Sequence, residues 1–91
     1  MSNPKSDALY EMFVNIKDKE TCKQILEDLC TNREVDNMAE RLFAARLLHE
    51  GYTYTQVMEQ ANISSATLSR VSRCVQYGKG YRKIFKDEEE R

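Results

Sequence analysis

The stretch Thr53-Tyr54-Thr55-Gln56-Val57-Met58-Glu59-Gln60-Ala61-Asn62-Ile63-Ser64-Ser65-Ala66-Thr67-Leu68-Ser69-Arg70-Val71-Ser72-Arg73-Cys74-Val75 decides the fold. It holds two helix starts separated by one tight turn. Thr53 and Gln56 stand at capping-box spacing, so each side chain can satisfy the other residue's free amide. Behind them Val57, Met58 and Ala61 are placed to face inward from a helix of about two turns. Asn62 tolerates the left-handed conformation, and is expected to end that helix, with Ile63 plugging the corner. Ser64 then caps a second helix from Ser65 to about Val75, whose Leu68, Val71 and Val75 share one face at i, i+3, i+7.

A short helix, the turn Asn62-Ile63-Ser64 and a capped second helix make a helix-turn-helix, in which the second helix enters the DNA major groove by its N-terminal residues. With the apolar positions committed to the core, the outward set is Ser65, Ala66, Thr67, Ser69, Arg70 and Arg73. Small hydroxyls let a helix sit close to base edges, and an Ala or Thr methyl can meet a thymine methyl. Arg70 and Arg73 reach guanine or flanking phosphate, while Thr53, Thr55, Gln56 and Ser64 sit at helix N-termini, where phosphate is held well. The bland alternative is a solvated face that merely tolerates small residues. Short surface helices favour Glu, Lys and Gln, however, and this one is basic and free of acid.

Charge supports the same division. The formal net charge is −1, which looks wrong for a nucleic-acid binder until it is divided along the chain. Residues 1–62 carry seven Lys/Arg against eleven Asp/Glu. Residues 63–86 carry Arg70, Arg73, Lys79, Arg82, Lys83 and Lys86 with no acid. The tail Asp87-Glu88-Glu89-Glu90-Arg91 is acidic again. Local asymmetry of this kind, rather than overall charge, is the footprint of phosphate binding.

Upstream, helix signals follow one another without interruption, because Pro4 is the one proline. Leu9, Met12, Phe13 and Ile16 predict a first helix from about Asp7 to Asn15. Asp18 caps a second, carrying Cys22, Ile25, Leu26, Leu29 and Cys30 on one stripe. Thr31 and Glu34 form another capping box and open a third helix to about His49, stopped by Gly51. That helix is apolar over much of its circumference (Val35, Met38, Ala39, Leu42, Phe43, Ala45, Leu47, Leu48), and a short chain cannot cover it alone. A second subunit is the expected cover. The reading is a single all-α domain of five to six short helices: a dimerisation core over 7–50, the helix-turn-helix over 53–75, and a basic exit with an acidic flexible tail over 76–91, in which Arg82 to Arg91 is read as a frayed helix or as disordered.

The remaining features bound the function. No apolar run approaches the ~20 residues that span a bilayer, and the N-terminus lacks a signal-peptide core. Three cysteines, Cys22, Cys30 and Cys74, suit a reducing cytoplasm and match no zinc spacing, so no metal is expected. His49 is the one histidine, and no catalytic set or glycine-rich phosphate loop can be assembled, which argues against an enzyme. Two rivals stay open. One is a helix-turn-helix kept as a protein-interaction or oligomerisation module, which needs an apolar outward face on its second helix. The other is single-stranded nucleic-acid binding through Tyr52, Tyr54, Tyr77 and Tyr81 as stacking platforms, although these form no stripe.

Ser64-Ser65-Ala66-Thr67-Leu68-Ser69-Arg70-Val71 resembles the recognition helix of the tryptophan-repressor-like family. Arg41-Leu42-Phe43-Ala44-Ala45-Arg46-Leu47-Leu48-His49-Glu50-Gly51 resembles its central helix, and the Cys74…Tyr77-Gly78 exit is similar to the YerC/YecD branch. The likeness runs from about Leu9 to Tyr81. It implies an intertwined homodimer binding double-stranded DNA as a transcriptional regulator, most often a repressor, in the bacterial cytoplasm. It also implies a candidate effector pocket at Thr31, Arg41 and Arg70 for a small-molecule co-repressor. Val71 stands where the repressor has glycine, and Cys74 where it has a hydroxyl. A branched side chain there is expected to intrude on a ring, which argues against tryptophan. Thr31 also has a local task as a cap, and Arg41 has Asp36 and Glu40 as neighbouring acids.

Overall fold

The computed structural model describes residues 3–89 and, among them, six α-helices and no strand. Helix α1 (Pro4–Asn15) starts earlier than its apolar spacing predicts. The Asn3 side chain accepts from Lys5 N at 2.9 Å, and Pro4 occupies a first-turn position where a missing N–H is harmless. Helix α2 (Lys19–Leu29) is capped by Asp18, which accepts from Thr21 N at 2.7 Å and from the Thr21 hydroxyl at 2.9 Å. These bonds, the backbone one foremost, hold the Asp18 carboxyl below its ordinary range.

Helix α3 (Asn32–His49) opens with the Thr31–Glu34 box closed in both directions, at 2.8 and 3.1 Å. The Thr31 N–H is the main reason the Glu34 carboxyl is lowered too. The chain leaves α3 through Gly51 at φ +99, a conformation that strains any residue with a Cβ.

Helix α4 (Tyr54–Gln60) carries the second capping box, Thr53 N to Gln56 Oε1 at 2.9 Å and Gln56 N to Thr53 Oγ1 at 3.2 Å. Its other end departs from expectation. No non-glycine residue among those described has positive φ, so Asn62 is not a left-handed cap. Ala61 ends the helix in an extended conformation, with its N–H still bonded to Val57 O at 2.8 Å. The next amide, Asn62 N, donates to Glu40 Oε2 on α3 at 2.6 Å. A tertiary acceptor does what a left-handed residue would have done locally. Met58, expected inward, is 41% exposed, because so short a helix turns one i, i+4 edge, Val57 and Ala61, to the core.

Helix α5 (Ser65–Tyr77) runs past Val75 and stops at Gly78, whose N–H donates to Cys74 O at 2.8 Å. A Cβ at Gly78 would lie 2.5 Å from that oxygen, so the close approach requires glycine. The segment expected to be a flexible exit followed, from Arg82, by a frayed helix or a disordered tail forms α6 (Gly80–Glu89), which packs on α5. Tyr81 and Phe85 stack at 5.8 Å, one turn apart, and Phe85 stacks on His49 at 4.7 Å. Arg46 grips Glu88 through two bonds of 2.7 Å, and His49 Nε2 meets Glu89 Oε1 at 2.5 Å. The last two residues of the expected tail, Glu90 and Arg91, lie outside those described.

The chain divides into two compact units, one ending at Val35 and one beginning at Asp36. In the first, neither α1 nor α2 buries a residue. In the second, Ala44, Ala45 and Leu47 of α3 cluster with Val57, Ala61, Leu68, Val71 and Phe85. Ile63 packs half-buried against this core, as expected of a corner plug. Leu68 and Val57 are its largest fully enclosed side chains. Met38 and Phe43, on the broadly apolar α3, stay exposed. Among the described residues no helix is long and apolar enough to cross a membrane.

Candidate nucleic-acid interface

The core face of α5 sets its rotation. Leu68 and Val71 are buried, Val75 packs against the same cluster, and Ser72 is buried beside them. The opposite side, Ser65, Ala66, Ser69, Arg70 and Arg73, is exposed. Ser64 takes the cap position: its Oγ accepts from Thr67 N at 3.2 Å and donates to Thr67 Oγ1 at 2.9 Å. Thr67 is therefore half-buried, with a lone pair occupied by the cap and its own O–H left to donate. Thr53, Thr55 and Gln56 are exposed at the start of α4, although the capping box engages Thr53 and Gln56 with each other.

Arg70 and Arg73 border a shallow, open depression with Cys74, Tyr77 and Gly78. Arg82, counted among the basic residues, donates Nη2 to Gln76 O at 2.9 Å, placing a cation at the C-terminal end of α5, where the helix dipole favours it. On α6 the acids Glu88 and Glu89 are drawn to Arg46 and His49 rather than to the α5 arginines. The exposed face of α5 thus keeps its positive sign.

The two candidate effector arginines come together. Arg41 and Arg70 line one cavity of about 270 Å³ with Met38, Val71, Cys74 and Tyr81. Arg41 also borders a neighbouring cavity of about 310 Å³, shared with Asn37, Asn62, Ile63, Ser64 and Thr67. It pairs with neither Asp36 nor Glu40; its Nε approaches Asn37 O at 3.4 Å instead. Val71 is buried at the wall of the Arg41–Arg70 cavity, and Cys74 is half-buried beside it. Thr31 belongs to the first unit, where its side chain is engaged as the α3 cap. Sequence reasoning missed Glu40, whose partner Asn62 lies twenty-two positions on, because no local pattern announces a bond of that reach.

A capped pair of helices joined by the four residues 61–64, the second exposing a cationic and acid-free face, defines a helix-turn-helix protein. Residues 5–89 match the family described as Trp repressor protein. The chain belongs to that family, which is one of transcription regulators and not of enzymes. It is 43% identical over 72 residues to the uncharacterized protein YerC of Bacillus subtilis (strain 168), covering 79% of this chain and 69% of YerC. Two crystal structures are also similar. One, from Staphylococcus aureus and named provisionally as a Trp repressor, has a TM-score of 0.89 at 31% identity, covering 97% of this chain and 89% of its own. The other, a TrpR-like protein from Eubacterium eligens ATCC 27750, has a TM-score of 0.90 at 30% identity, with 97% and 92% covered.

Proposed function

We propose that this protein is a homodimeric regulator of transcription that binds double-stranded DNA in a sequence-specific manner, acting as a repressor in the bacterial cytoplasm. The observation that carries the reading is the exposed face of α5 from Ser65 to Arg73, whose outward residues are small, hydroxyl-bearing or cationic and include no acid. Ser65, Ala66, Thr67 and Ser69 are short enough to approach base edges, and Arg70 and Arg73 supply guanine or phosphate contacts. Ser64, Thr53, Thr55 and Gln56 complete the set from two helix N-termini. A protein-docking role would require an apolar or aromatic outward face, which α5 lacks between Ser65 and Arg73.

Selection of bound duplexes from a random pool should enrich a two-fold-symmetric site. A dimer making ~6 to 8 phosphate contacts should show a log–log salt slope of roughly −5 to −7. A flat salt response, or absence of duplex binding at low salt, would refute the reading. The Arg41–Arg70 cavity is suited to a small anionic co-repressor rather than to tryptophan, since Val71 and Cys74 replace the glycine and hydroxyl of the tryptophan site. Calorimetric titration with tryptophan is expected to give no measurable heat; micromolar binding would show that Val71 leaves room for the ring.

A further inference from the structure

The turn between α4 and α5 is held by a bond that comes from neither helix. Ala61 N–H is the last amide of α4 to find a carbonyl within the helix, at Val57 O. Asn62 N–H comes next, past the end of α4, where a backbone donor has no helical partner. Glu40 of α3 reaches it with Oε2 at 2.6 Å, the short length of a charge-assisted bond. One residue further, Ile63 packs against the core, and the next residue, Ser64, caps α5. The turn is thereby fixed at two successive positions, one polar and one apolar, immediately before the reading helix starts.

Resting on the DNA-reading role proposed above, we infer that Glu40 is a positioning residue for specificity: its carboxylate holds the Asn62 amide and so sets the direction in which α5 leaves the turn. Glu40 touches no base in this scheme and acts through the turn. Base-edge hydrogen bonds tolerate displacements of only about 0.5 Å before they are lost, whereas phosphate attraction is long-ranged and forgiving. Releasing the turn therefore damages discrimination between sequences more than overall attraction to DNA. Glutamate at 40 is an acid placed close to the proposed DNA face, against the electrostatic interest of a phosphate binder. A structural task for its charge accounts for it.

The test uses Glu40→Ala, which removes the acceptor, and Glu40→Gln, which keeps an oxygen acceptor without the charge. Each full-length variant is titrated against the selected duplex and a scrambled one, and the Asn62 amide is followed by NMR in the DNA-free protein. Glu40→Ala should weaken the selected duplex about tenfold, the scale of a lost hydrogen bond to a charged group, while leaving the scrambled duplex within about twofold. Its Asn62 amide proton should move upfield and lose hydrogen-exchange protection, and Glu40→Gln should restore much of both. Equal losses on the two duplexes, undiminished discrimination, or an unmoved Asn62 amide would each overturn the assignment. Should Glu40→Ala not fold, Glu40→Asp keeps the charge but withdraws it by one methylene and gives the same comparison. If the wild-type protein discriminates among no duplexes, the DNA-reading role fails and this role with it. If the wild type discriminates and the variants do so equally, Glu40's role alone fails.

Discussion

Thr67 and Arg73 sit on the same helix yet are expected to fail differently when removed. Thr67 lies on the first turn of α5, half-buried, with its hydroxyl oxygen accepting from Ser64 and its O–H free. Arg73 is exposed two turns further along, where a helix that enters the groove by its N-terminus would be leaving it. Thr67→Ala should weaken the preferred site by ~1–3 kcal/mol and leave scrambled duplex nearly unchanged. Arg73→Ala should weaken all duplexes alike and reduce the salt slope by about one unit. Binding of each variant across a salt series checks both, and both should keep a thermal midpoint near wild type. The Ser64 cap survives the threonine change because it bonds Thr67 through the backbone N–H. If Thr67→Ala lowers both affinities equally, the helix meets DNA in a different rotation.

At the scale of elements, α6 is where local signals left a frayed helix and a disordered tail equally open and did not announce docking. Five acids and bases in a row after Lys86, and glycines at 78 and 80, read as an exit running into solvent. The i, i+4 pair Tyr81 and Phe85 was legible but short, and its meaning depends on what Phe85 meets: His49 and Arg46, some forty residues earlier. With 3% exposure, Phe85 is a core residue carried by the terminal helix. Phe85→Ala should therefore cost about 3 to 5 kcal/mol of stability, while Ile84→Ala, at an exposed neighbour, should cost under ~1 kcal/mol. Chemical denaturation of the two variants separates a docked α6 from a frayed one: equal midpoints would show that α6 contributes nothing. The caps tell the opposite story. Asp18, Thr31, Thr53 and Ser64 each begin a helix as their spacing predicts, since a capping bond spans three residues and needs no tertiary partner.

For the molecule as a whole, the pattern of burial favours a second subunit. α1 and α2 bury nothing, although they carry Leu9, Phe13, Val14 and Leu29 among their exposed apolar side chains, and α3 adds Met38 and Phe43. Apolar surface on this scale is stabilised by cover at roughly 25 cal/mol per Å², and one chain of this length supplies too little. Folding should then be inseparable from dimerisation, and the thermal midpoint should rise with protein concentration. Calorimetry or circular dichroism over a hundredfold range of concentration measures it. A stable folded monomer in analytical ultracentrifugation at micromolar concentration would end the proposal.

The starts of α2 to α5, the Gly51 stop, the buried stripe of α5 and its exposed cationic face were all legible in the chain, because each depends on residues within about two turns of one another. The end of α4 was not. Asn62 has the local chemistry of a left-handed cap, yet it adopts no positive φ, because Glu40 satisfies its amide from another helix. Met58 carries the right polarity for the core but lies on the wrong edge of a helix too short to bury three positions. Arg41 and Arg70 meet across one cavity only after α3 and α5 are brought together, and Phe85 becomes core only against His49. Capping and periodicity are local and additive, and so survive in one dimension. The partner of a lone amide, a carboxylate or a single aromatic ring is chosen by packing, which the order of residues alone does not specify.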